Sequence, residues 1–492
     1  MPNFEIESSQ PSVPAVPWAA LIVMVAAACM DLLDGTIVQV ALPSMQRELG
    51  ATDADLQWFS AAYTLAFALV LITGARLGDI FGGRRMFLLG LGAFTLASLA
   101  TALSVSPPML IAFRAAQGTA SALMLPQVLT FIQLRFTEAA KPKAFAVYGM
   151  MMAVASASGP LVGGLLVKAD IAGLQWRPIF LVNVPIGVAA LVAGLHLIPR
   201  SPTTAHRRLD LPGLAVLSVA LLAVFYPLIQ GRYLGWPTWS LAMLASAVPM
   251  IGVFLAWQVH QTRRRRTPLV DLSLFTHRSS GVGLLIALLL FGSTSYFFVL
   301  TLHLQQFLGY SALDAGIAFL PFSLGTVVGS VFATPLGRLL GRWAVSLSAI
   351  LMLGSQVGIV HVLTSAAAPQ IGWALAVPQL GCGTAFGIAT GTLATIALSD
   401  VPPPLAAAAS GVFNTTSQIG SVAAVAIAGA IYFSTLGAHG QPTVAASTAG
   451  ASQAIWYLVA TSAAALVLTL ALPLGRRTTQ IADIPDRPAG VA

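Results

Sequence analysis

Residues 18–43 read WAALIVMVAAACMDLLDGTIVQVALP, an apolar stretch long enough to cross a lipid bilayer that nevertheless contains two carboxylates, Asp31 and Asp34. A membrane-spanning helix needs about 20 apolar residues. An aspartate near the centre of such a helix costs on the order of 3 kcal/mol even on mild insertion scales. Because the two acids are three residues apart, they share one face of the helix. We therefore expect this face to contact protein or a water-filled cavity and not lipid.

Two interpretations of these acids stay open at the level of sequence. Neighbouring helices could satisfy them as a structural pair, or they could serve the function of the protein, which is the default hypothesis for acids inside a membrane. We favour the functional interpretation, more strongly for Asp34 than for Asp31. The apolar segment that holds them is too long for the core of a signal peptide, and we expect it to be retained.

The composition is that of a polytopic membrane protein. Of the 492 residues, 57% are apolar and only 8% are charged, and the mean hydropathy is +0.85. The formal net charge is +8, but the charges lie between apolar segments, so no nucleic-acid partner is expected. Cys29 and Cys382 lie in separate apolar stretches, which argues against both a disulfide and a thiolate metal site.

Apolar runs of helix length, bounded by Pro, Gly or charge, predict an all-α fold with fourteen membrane-spanning helices. Their expected ranges are 17–41, 56–75, 86–105, 108–132, 144–167, 178–198, 211–230, 237–260, 279–301, 313–336, 343–363, 370–393, 405–433 and 454–474. With a cytoplasmic amino terminus, the basic residues of the outside loops would be only Arg47, Lys168, Arg177 and Arg232. This asymmetry follows the positive-inside rule and predicts a multi-pass protein of a bacterial cytoplasmic membrane with both termini in the cytoplasm.

Two similar turns predict an internal repeat. Residues 77–84 read LGDIFGGR after the second predicted helix, and residues 336–342 read LGRLLGR after the tenth. If these turns correspond, helices 1–6 match helices 9–14, and helices 7 and 8 form an inserted hairpin. The expected parts are a six-helix bundle over 1–200, inserted helices over 201–262, and a cytoplasmic linker, second six-helix bundle and short tail over 263–492. A parallel repeat places a substrate site between the halves, near the middle of the bilayer.

Motifs of the common enzyme classes do not occur in the sequence. It lacks a G-x-x-x-x-G-K-[ST] phosphate loop, an H-E-x-x-H pair, a Cys/His metal cluster and a G-x-S-x-G elbow. We therefore expect no enzymatic activity, no metal and no cofactor. A multi-pass membrane enzyme and a channel are the less favoured alternatives from other functional classes.

Several motifs resemble those of the major facilitator superfamily, and specifically its fourteen-helix drug/proton antiporter branch, the EmrB/QacA-like exporters. Residues 33–43, LDGTIVQVALP, are similar to the branch signature L-D-x-T-I-V-N-V-A-L-P, with Gln39 in place of Asn. Residues 74–87 resemble the loop signature G-x-L-a-D-R-x-G-R-[RK] of the superfamily. They depart from that signature at Ala75, Ile80 and Gly83.

Further motifs extend the resemblance over nearly the whole chain. Residues 114–118, RAAQG, resemble the R-x-x-Q-G motif that the family places in proton coupling. Residues 158–164, SGPLVGG, resemble the antiporter element G-P-x-x-G-G, and residues 176–187 look like the segment that leads into helix 6.

The resemblance implies a proton-coupled exporter of drugs, antibiotics or other amphiphilic small molecules. Its partners would be a small-molecule substrate, protons and the lipid bilayer. A dedicated exporter of one lipid, siderophore or self-made metabolite is the alternative, and an outer-envelope adaptor is left open.

Proton coupling is assigned to Asp34, Asp31 and Arg114. An arginine buried in a membrane span needs a counter-charge or several acceptors. At 1.5 Å per residue, Arg114 and Asp34 lie about 9 and 12 Å inward from the outer surface, so they could pair directly or through a polar neighbour. We expect Asp34 to be the main proton site, with a proton affinity that changes with the distance of Arg114.

Amide side chains are the candidates for substrate contact where the two halves face each other. They are Gln117, Gln305, Gln306, Asn414 and Gln418. The alternative for any single amide is a hydrogen bond between helices, which is the more common role of such residues.

Two groups of residues are expected to control the conformational change. The turn after helix 2 would hold the outward-open state through acids of the other half, with Arg76 as a further donor, or it would only anchor the topology by its positive charge. A second group in helix 5 would bend that helix and admit another backbone, or would only pack closely. The first group is Asp79, Gly82, Arg84 and Arg85, and the second is Gly159, Pro160, Gly163 and Gly164.

Overall fold

The computed structural model describes residues 18–200, 209–264, 266–365, 370–402, 405–438 and 442–472, and these residues form helices joined by short turns, with no β-strand among them. The predicted cytoplasmic termini and tail lie outside the described residues. The long helices are α1 (Trp18–Leu49), α2 (Asp53–Phe81), α3 (Gly83–Ala102), α4 (Pro107–Arg135), α5 (Lys141–Ala169), α6 (Pro178–Leu197), α7 (Leu211–Tyr233), α8 (Thr238–Arg263), α9 (Arg278–Phe307), α10 (Ala312–Leu340), α11 (Arg342–Ser365), α12 (Ile371–Ala397), α13 (Ala406–Ala438) and α14 (Val444–Thr469).

The prediction of an all-α membrane protein is confirmed. Within the described ranges, thirteen of the helices are long and apolar enough to cross a membrane. The remaining helix, α4, has 29 residues and carries the buried polar side chains Arg114 and Gln117. The assignment of fourteen membrane spans stays a prediction.

Several predicted boundaries are wrong by five residues or more, and two of them have a clear physical reason. The first helix was expected to end at 41, before Pro43, but α1 continues through this proline to Leu49. Helices in membranes tolerate proline because neighbouring groups satisfy the freed carbonyl. The last helix was expected from 454, but α14 begins at Val444, where the side chain of Thr443 caps the first turn. The small and polar residues of this turn carry no hydropathy signal.

Reciprocal glycine contacts hold α2 against α4. A Cβ atom added at Gly74 would overlap the carbonyl oxygen of Ala122, and one added at Gly118 would overlap that of Tyr63. The two backbones are therefore in direct contact, which is possible because small residues let membrane helices approach closely.

The pair α10 and α12 uses the same device. A Cβ atom at Gly325 would overlap the carbonyl oxygen of Leu380, and one at Gly383 would overlap that of Phe322. The eight-helix offset between the two pairs, from α2 and α4 to α10 and α12, is the one that the predicted repeat requires.

The turns that suggested the repeat also share their geometry. Gly82 has φ +93° and Gly341 has φ +58°, and each donates its N–H to the carbonyl oxygen four residues earlier, at 2.9 and 3.0 Å. Positive φ favours glycine at both positions. At their other ends, α2 and α10 begin with equivalent capping boxes, Thr52–Asp55 and Ser311–Asp314.

The hairpin of α7 and α8 packs against both α2 and α13 through α7. Asp210 stabilises the first turn of α7. The buried carboxylate caps α7 through the N–H of Gly213 at 2.9 Å. It also accepts from Trp257 Nε1 at 2.9 Å, Gln258 Nε2 at 3.0 Å and the N–H of Leu269 at 3.2 Å. Burial acts to raise the pKa of Asp210, but the donors outweigh it and hold the pKa below its ordinary value.

We expect Asp210→Ala to loosen the hairpin, because buried donors that lose their acceptor cost about 1–3 kcal/mol each. The control is Asp271→Ala, which removes only a single cap on Ser273 N at 3.0 Å. Thermal unfolding in detergent and amide exchange of α8 measure the effect. Because the pKa of Asp210 is lowered, the stabilisation is complete at neutral pH and is lost as the pH falls below 3.8. Equal effects of the two substitutions would contradict this role.

Candidate functional site

A buried ion pair forms the centre of the site. Asp34 of α1 binds Arg114 of α4 directly, and each residue is only 1% exposed. The second carboxylate oxygen of Asp34 accepts from Asn183 Nδ2 of α6 at 2.8 Å and from Gln117 Nε2 at 3.2 Å. Three donors from two other helices thus satisfy this carboxylate, and a buried charge is tolerated only when it is paired and hydrogen-bonded.

The remaining contacts of Arg114 fix its guanidinium in place. Its Nε donates to the carbonyl oxygen of Phe59 at 3.1 Å, and one Nη donates to Gln117 Oε1 at 3.0 Å. Its Cζ lies 4.4 Å from the ring centroid of Tyr63. The R-x-x-Q-G motif is thus explained by geometry: Arg114 pairs with the acid, Gln117 binds both partners, and Gly118 leaves room for α2.

Asp31 lies about one turn before Asp34 in a different environment. It accepts from two hydroxyl groups, those of Tyr63 and Ser121. It is 6% exposed and lines a large cavity, whereas Asp34 lies behind the cavity wall. The structure therefore separates the two acids, placing one at the cavity and the other in the buried ion pair.

A cavity of about 900 Å³ lies between α1, α2, α4 and α5 on one side and α9, α10, α12 and α13 on the other. Of the predicted amides, Asn414 and Gln418 line it, whereas Gln117 is fully buried in the ion-pair cluster. Much of its wall is aromatic. The aromatic residues are Tyr63, Phe67, Tyr148, Phe297, Phe298, Phe319, Phe322 and Phe386.

Among the described residues, the lining of the cavity extends toward one end of the bundle. We call the end where α1 begins the near face and the end where α1 finishes, at Leu49, the far face. The lining residues Ala75, Gln133 and Tyr148 lie toward the near-face ends of α2, α4 and α5. The cavity therefore leads from the near face toward the middle of the bundle.

Contacts between the two halves close the far face. Gln305 Nε2 donates to the carbonyl oxygen of Val40 at 2.8 Å, and Gln306 Nε2 donates to Gln46 Oε1 at 2.6 Å. Both glutamines lie in a π-helical turn at the end of α9. These two predicted substrate contacts therefore lie in the closure and not on the cavity wall.

Arg232 of α7 adds a further contact across the far face. Its guanidinium donates to the carbonyl oxygen of Phe433 in α13 and lies 3.9 Å from a carboxylate oxygen of Asp53 in α2. Sequence reasoning treated Arg232 only as an outside basic residue. Its bridging position depends on the packing of the hairpin, which sequence does not reveal.

Two glycines of α5 face α1 just beyond Asp34. A Cβ atom at Gly159 would overlap Thr36 Oγ1, and one at Gly163 would lie 2.7 Å from Ile37 Cγ1. These distances leave no room for a side chain, so α5 packs directly on the helix that carries the acids.

The other two residues of the motif face α10 in the opposite half. A Cβ atom at Gly164 would lie 2.5 Å from the carbonyl oxygen of Ala312, and a Cβ atom at Gly316 would overlap the carbonyl oxygen of Pro160. The motif is thus a contact of α5 with two helices at once, one in each half.

The turn after α2 makes its described contacts within one half. Arg84 donates to the carbonyl oxygen of Leu195 in α6, Asp79 is half-buried and Arg85 is exposed. The expected contacts of this turn with the other half stay a prediction.

Arg76 of α2 contacts the segment that precedes α9. It donates to the carbonyl oxygens of Thr267 at 3.4 Å and Leu269 at 3.5 Å, in the segment that joins α8 to α9. At the near face, α2 is therefore connected by hydrogen bonds to the segment between α8 and α9.

Sequence reasoning missed three side chains that complete the site: Tyr63, Ser121 and Asn183. Asn183 was included only in the segment 176–187 that resembles the family. It lies in the apolar sequence FLVNVPIG at 180–187, and a polar residue in an apolar stretch is the same feature that marked Asp34. Tyr63 and Ser121 carry no comparable signal, because hydroxyl groups occur widely in membrane helices.

Comparison with known proteins agrees with this fold. Bundles of this kind with a central cavity open at one face are typical of secondary transporters. Residues 24–425 match the Major Facilitator Superfamily, and the chain belongs to this family.

Several relatives are similar over most of their length. A probable actinorhodin transporter of Streptomyces coelicolor is 37% identical over 91% of this chain and 77% of its own. A cephamycin export protein of Amycolatopsis lactamdurans is 34% identical over 94% of this chain and 93% of its own. The multidrug resistance protein Stp of Mycobacterium tuberculosis is 32% identical over 84% of this chain and 75% of its own.

Solved structures share the fold at low sequence identity. A bacterial homolog of the human lysosomal transporter Spinster superposes with a TM-score of 0.65 at 15% identity, over 93% of this chain and 98% of its own. A D-xylose-proton symporter gives a TM-score of 0.60 at 13% identity, over 90% and 97%.

We expect Gly164→Val to disfavour closure of the far face. Overpacking costs roughly 1–3 kcal/mol, which lowers the ratio of closed to open protein by about tenfold. The control is Gly149→Val in the same helix, where an added Cβ atom meets nothing within 4 Å. Thiol labelling of Gln133→Cys, near the cavity mouth, reports the near-face-open state. Labelling should fall for Gly164→Val only. Unchanged labelling in both variants would contradict the role of this contact.

Proposed function

We propose that the protein is a proton-coupled exporter of drugs, antibiotics or other amphiphilic small molecules, working by alternating access across a bacterial cytoplasmic membrane. The observation that carries the proposal is the buried pair of Asp34 and Arg114 beside a cavity whose described lining extends toward one face. Charged side chains inside a membrane bundle are costly and usually mark a functional site, and proton coupling is a function that would use this pair. The relatives named as antibiotic transport, export and resistance proteins support this direction.

The near face is taken as cytoplasmic, as the positive-inside rule predicts. The structure then corresponds to the inward-open state. In this state Asp34 is ionised and paired with Arg114, and the cavity is ready to accept substrate from the cytoplasm. In the outward-open state the acid takes a proton as substrate leaves. The turn of Asp79, Gly82, Arg84 and Arg85 would then close the near face by binding the other half.

The driving force is sufficient for export. One proton that moves through a total force of roughly 180 mV yields about 4 kcal/mol. This free energy sustains about a thousandfold substrate gradient per proton. The division into a bundle over 1–200, inserted helices over 201–262 and a second part over 263–492 belongs to the same proposal. The α5 contacts with α1 and α10 support it, because they lie where the two bundles would rock.

The lining of the cavity suits aromatic amphiphiles. Its phenylalanine rings offer apolar and stacking surface, and Asn414 and Gln418 of α13 supply donors and acceptors about one turn apart. A dedicated exporter of one self-made metabolite is the second candidate, because two of the relatives are named for single antibiotics. Growth inhibition across a compound panel separates a broad exporter from a dedicated one.

We expect Asp34→Asn to abolish proton-driven export, because a neutral amide can neither bind nor release the coupling proton. The measurement uses everted vesicles with an imposed pH gradient and a panel of puromycin, a cephamycin and tetraphenylphosphonium as probes. Wild-type protein should dissipate the gradient with at least one probe, and Asp34→Asn with none. The control is Asp314→Asn, an exposed acid in the capping box of α10. Undiminished gradient dissipation by the Asp34 variant would overturn the assignment.

A further inference from the structure

Tyr63 contacts both parts of the charged site. Its hydroxyl group donates to Asp31 Oδ1, the acid at the cavity. Its ring centroid lies 4.4 Å from Arg114 Cζ, the cation that binds Asp34. One side chain therefore joins the acid at the cavity to the ion pair that holds the fully buried Asp34.

The position of this tyrosine is set by the backbone. Its carbonyl oxygen occupies the space that a side chain at Gly118 would need, so α2 and α4 are locked together at this level. Phe67, one turn along α2, stacks on the ring with a centroid distance of 6.4 Å and an interplanar angle of 2°. The tyrosine ring therefore cannot shift far without disturbing Arg114 or Asp31.

We propose that Tyr63 is a positioning residue that transmits the ionisation of Asp31 to the Asp34–Arg114 pair. The inference rests on the proposed function and adds a coupling element to it. When Asp31 is ionised, it accepts the Tyr63 hydroxyl and holds the ring against the guanidinium. When Asp31 takes a proton or is covered by a bound substrate, it holds the hydroxyl less strongly. The ring then moves more freely, and Arg114 loses part of its support opposite Asp34. Tyr63 keeps its own proton throughout.

The groups that act on Asp31 come from α1, α2, α4 and α5. Ser121 of α4 donates a second hydroxyl, and across the cavity α13 presents the neutral amides Asn414 and Gln418. The titratable and charged groups near Asp31 are Cys29 and Asp34 of α1, Tyr63 of α2, Arg114 of α4 and Tyr148 of α5. Tyr63 is the member of this set that contacts both Asp31 and Arg114.

The test is the pH profile of probe-dependent gradient dissipation in everted vesicles, with the probe that the wild-type protein transports best. Tyr63→Phe keeps the ring and removes the hydroxyl group. We expect its midpoint to move to higher pH by about one unit, because an acid that loses a donor to its charged form holds its proton more tightly. The control is Tyr226→Phe in α7 of the hairpin, which should keep the wild-type pH profile. A wild-type profile for Tyr63→Phe would overturn the inference.

A double-mutant cycle separates coupling from a purely structural role. In an Asp31→Asn background, Tyr63→Phe should cause no further shift of the midpoint, since the acid through which it acts is absent. An equal shift in both backgrounds would overturn the inference. Size-exclusion profiles in detergent confirm that each variant is folded. If Asp34→Asn still exports with protons, the proposed function fails. If Asp34→Asn is inactive but the cycle is additive, only the role of Tyr63 fails.

Discussion

The burial of one ion pair, Asp34 with Arg114, is the constraint on which the rest of this structure depends. An unpaired charge at this depth costs several kcal/mol, so both partners must be held within contact distance. The donors come from α4 and α6 and the acceptor from α1, which forces these three helices together. Gly118 contributes by letting α2 approach α4 closely enough to bring Tyr63 under the guanidinium. The helices of the first half are thus arranged around a charge that lipid could not accommodate.

The same acid-bearing helix lies next to the surface at which the halves meet. Gly159 and Gly163 of α5 pack on α1 two to three residues beyond Asp34, while Gly164 packs on α10 of the other half. A rocking motion at the α5–α10 contact therefore reaches the surroundings of the acid through rigid backbone contacts and not through flexible side chains. Gln305 at the end of α9 also binds the backbone of α1 at Val40. These contacts give a physical route between the far-face closure and the charged site.

Much of the fold could be predicted because lipid imposes a simple rule on composition. Apolar runs located the long helices, and the similar depth of Arg114 and Asp34 along their helices made a direct pair one of two expected arrangements. Helix rotation could not be obtained this way, since hydropathy does not tell which side of a helix faces the cavity. Gln117 and Gln305 were therefore grouped with Asn414 as substrate contacts, although the first lies in the ion-pair cluster and the second in the closure. Tyr63 was missed because its importance lies in two contacts with distant parts of the chain.

The account stands on a change in the protonation of Asp34 that accompanies substrate binding. The most direct measurement is proton release by purified protein in weakly buffered detergent solution when a transported probe is added. We predict release by the wild-type protein at a pH where part of the population is protonated, and none by Asp34→Asn under the same conditions. Release of equal size by the Asp34 variant, or none by a wild-type protein that binds the probe, would contradict the account.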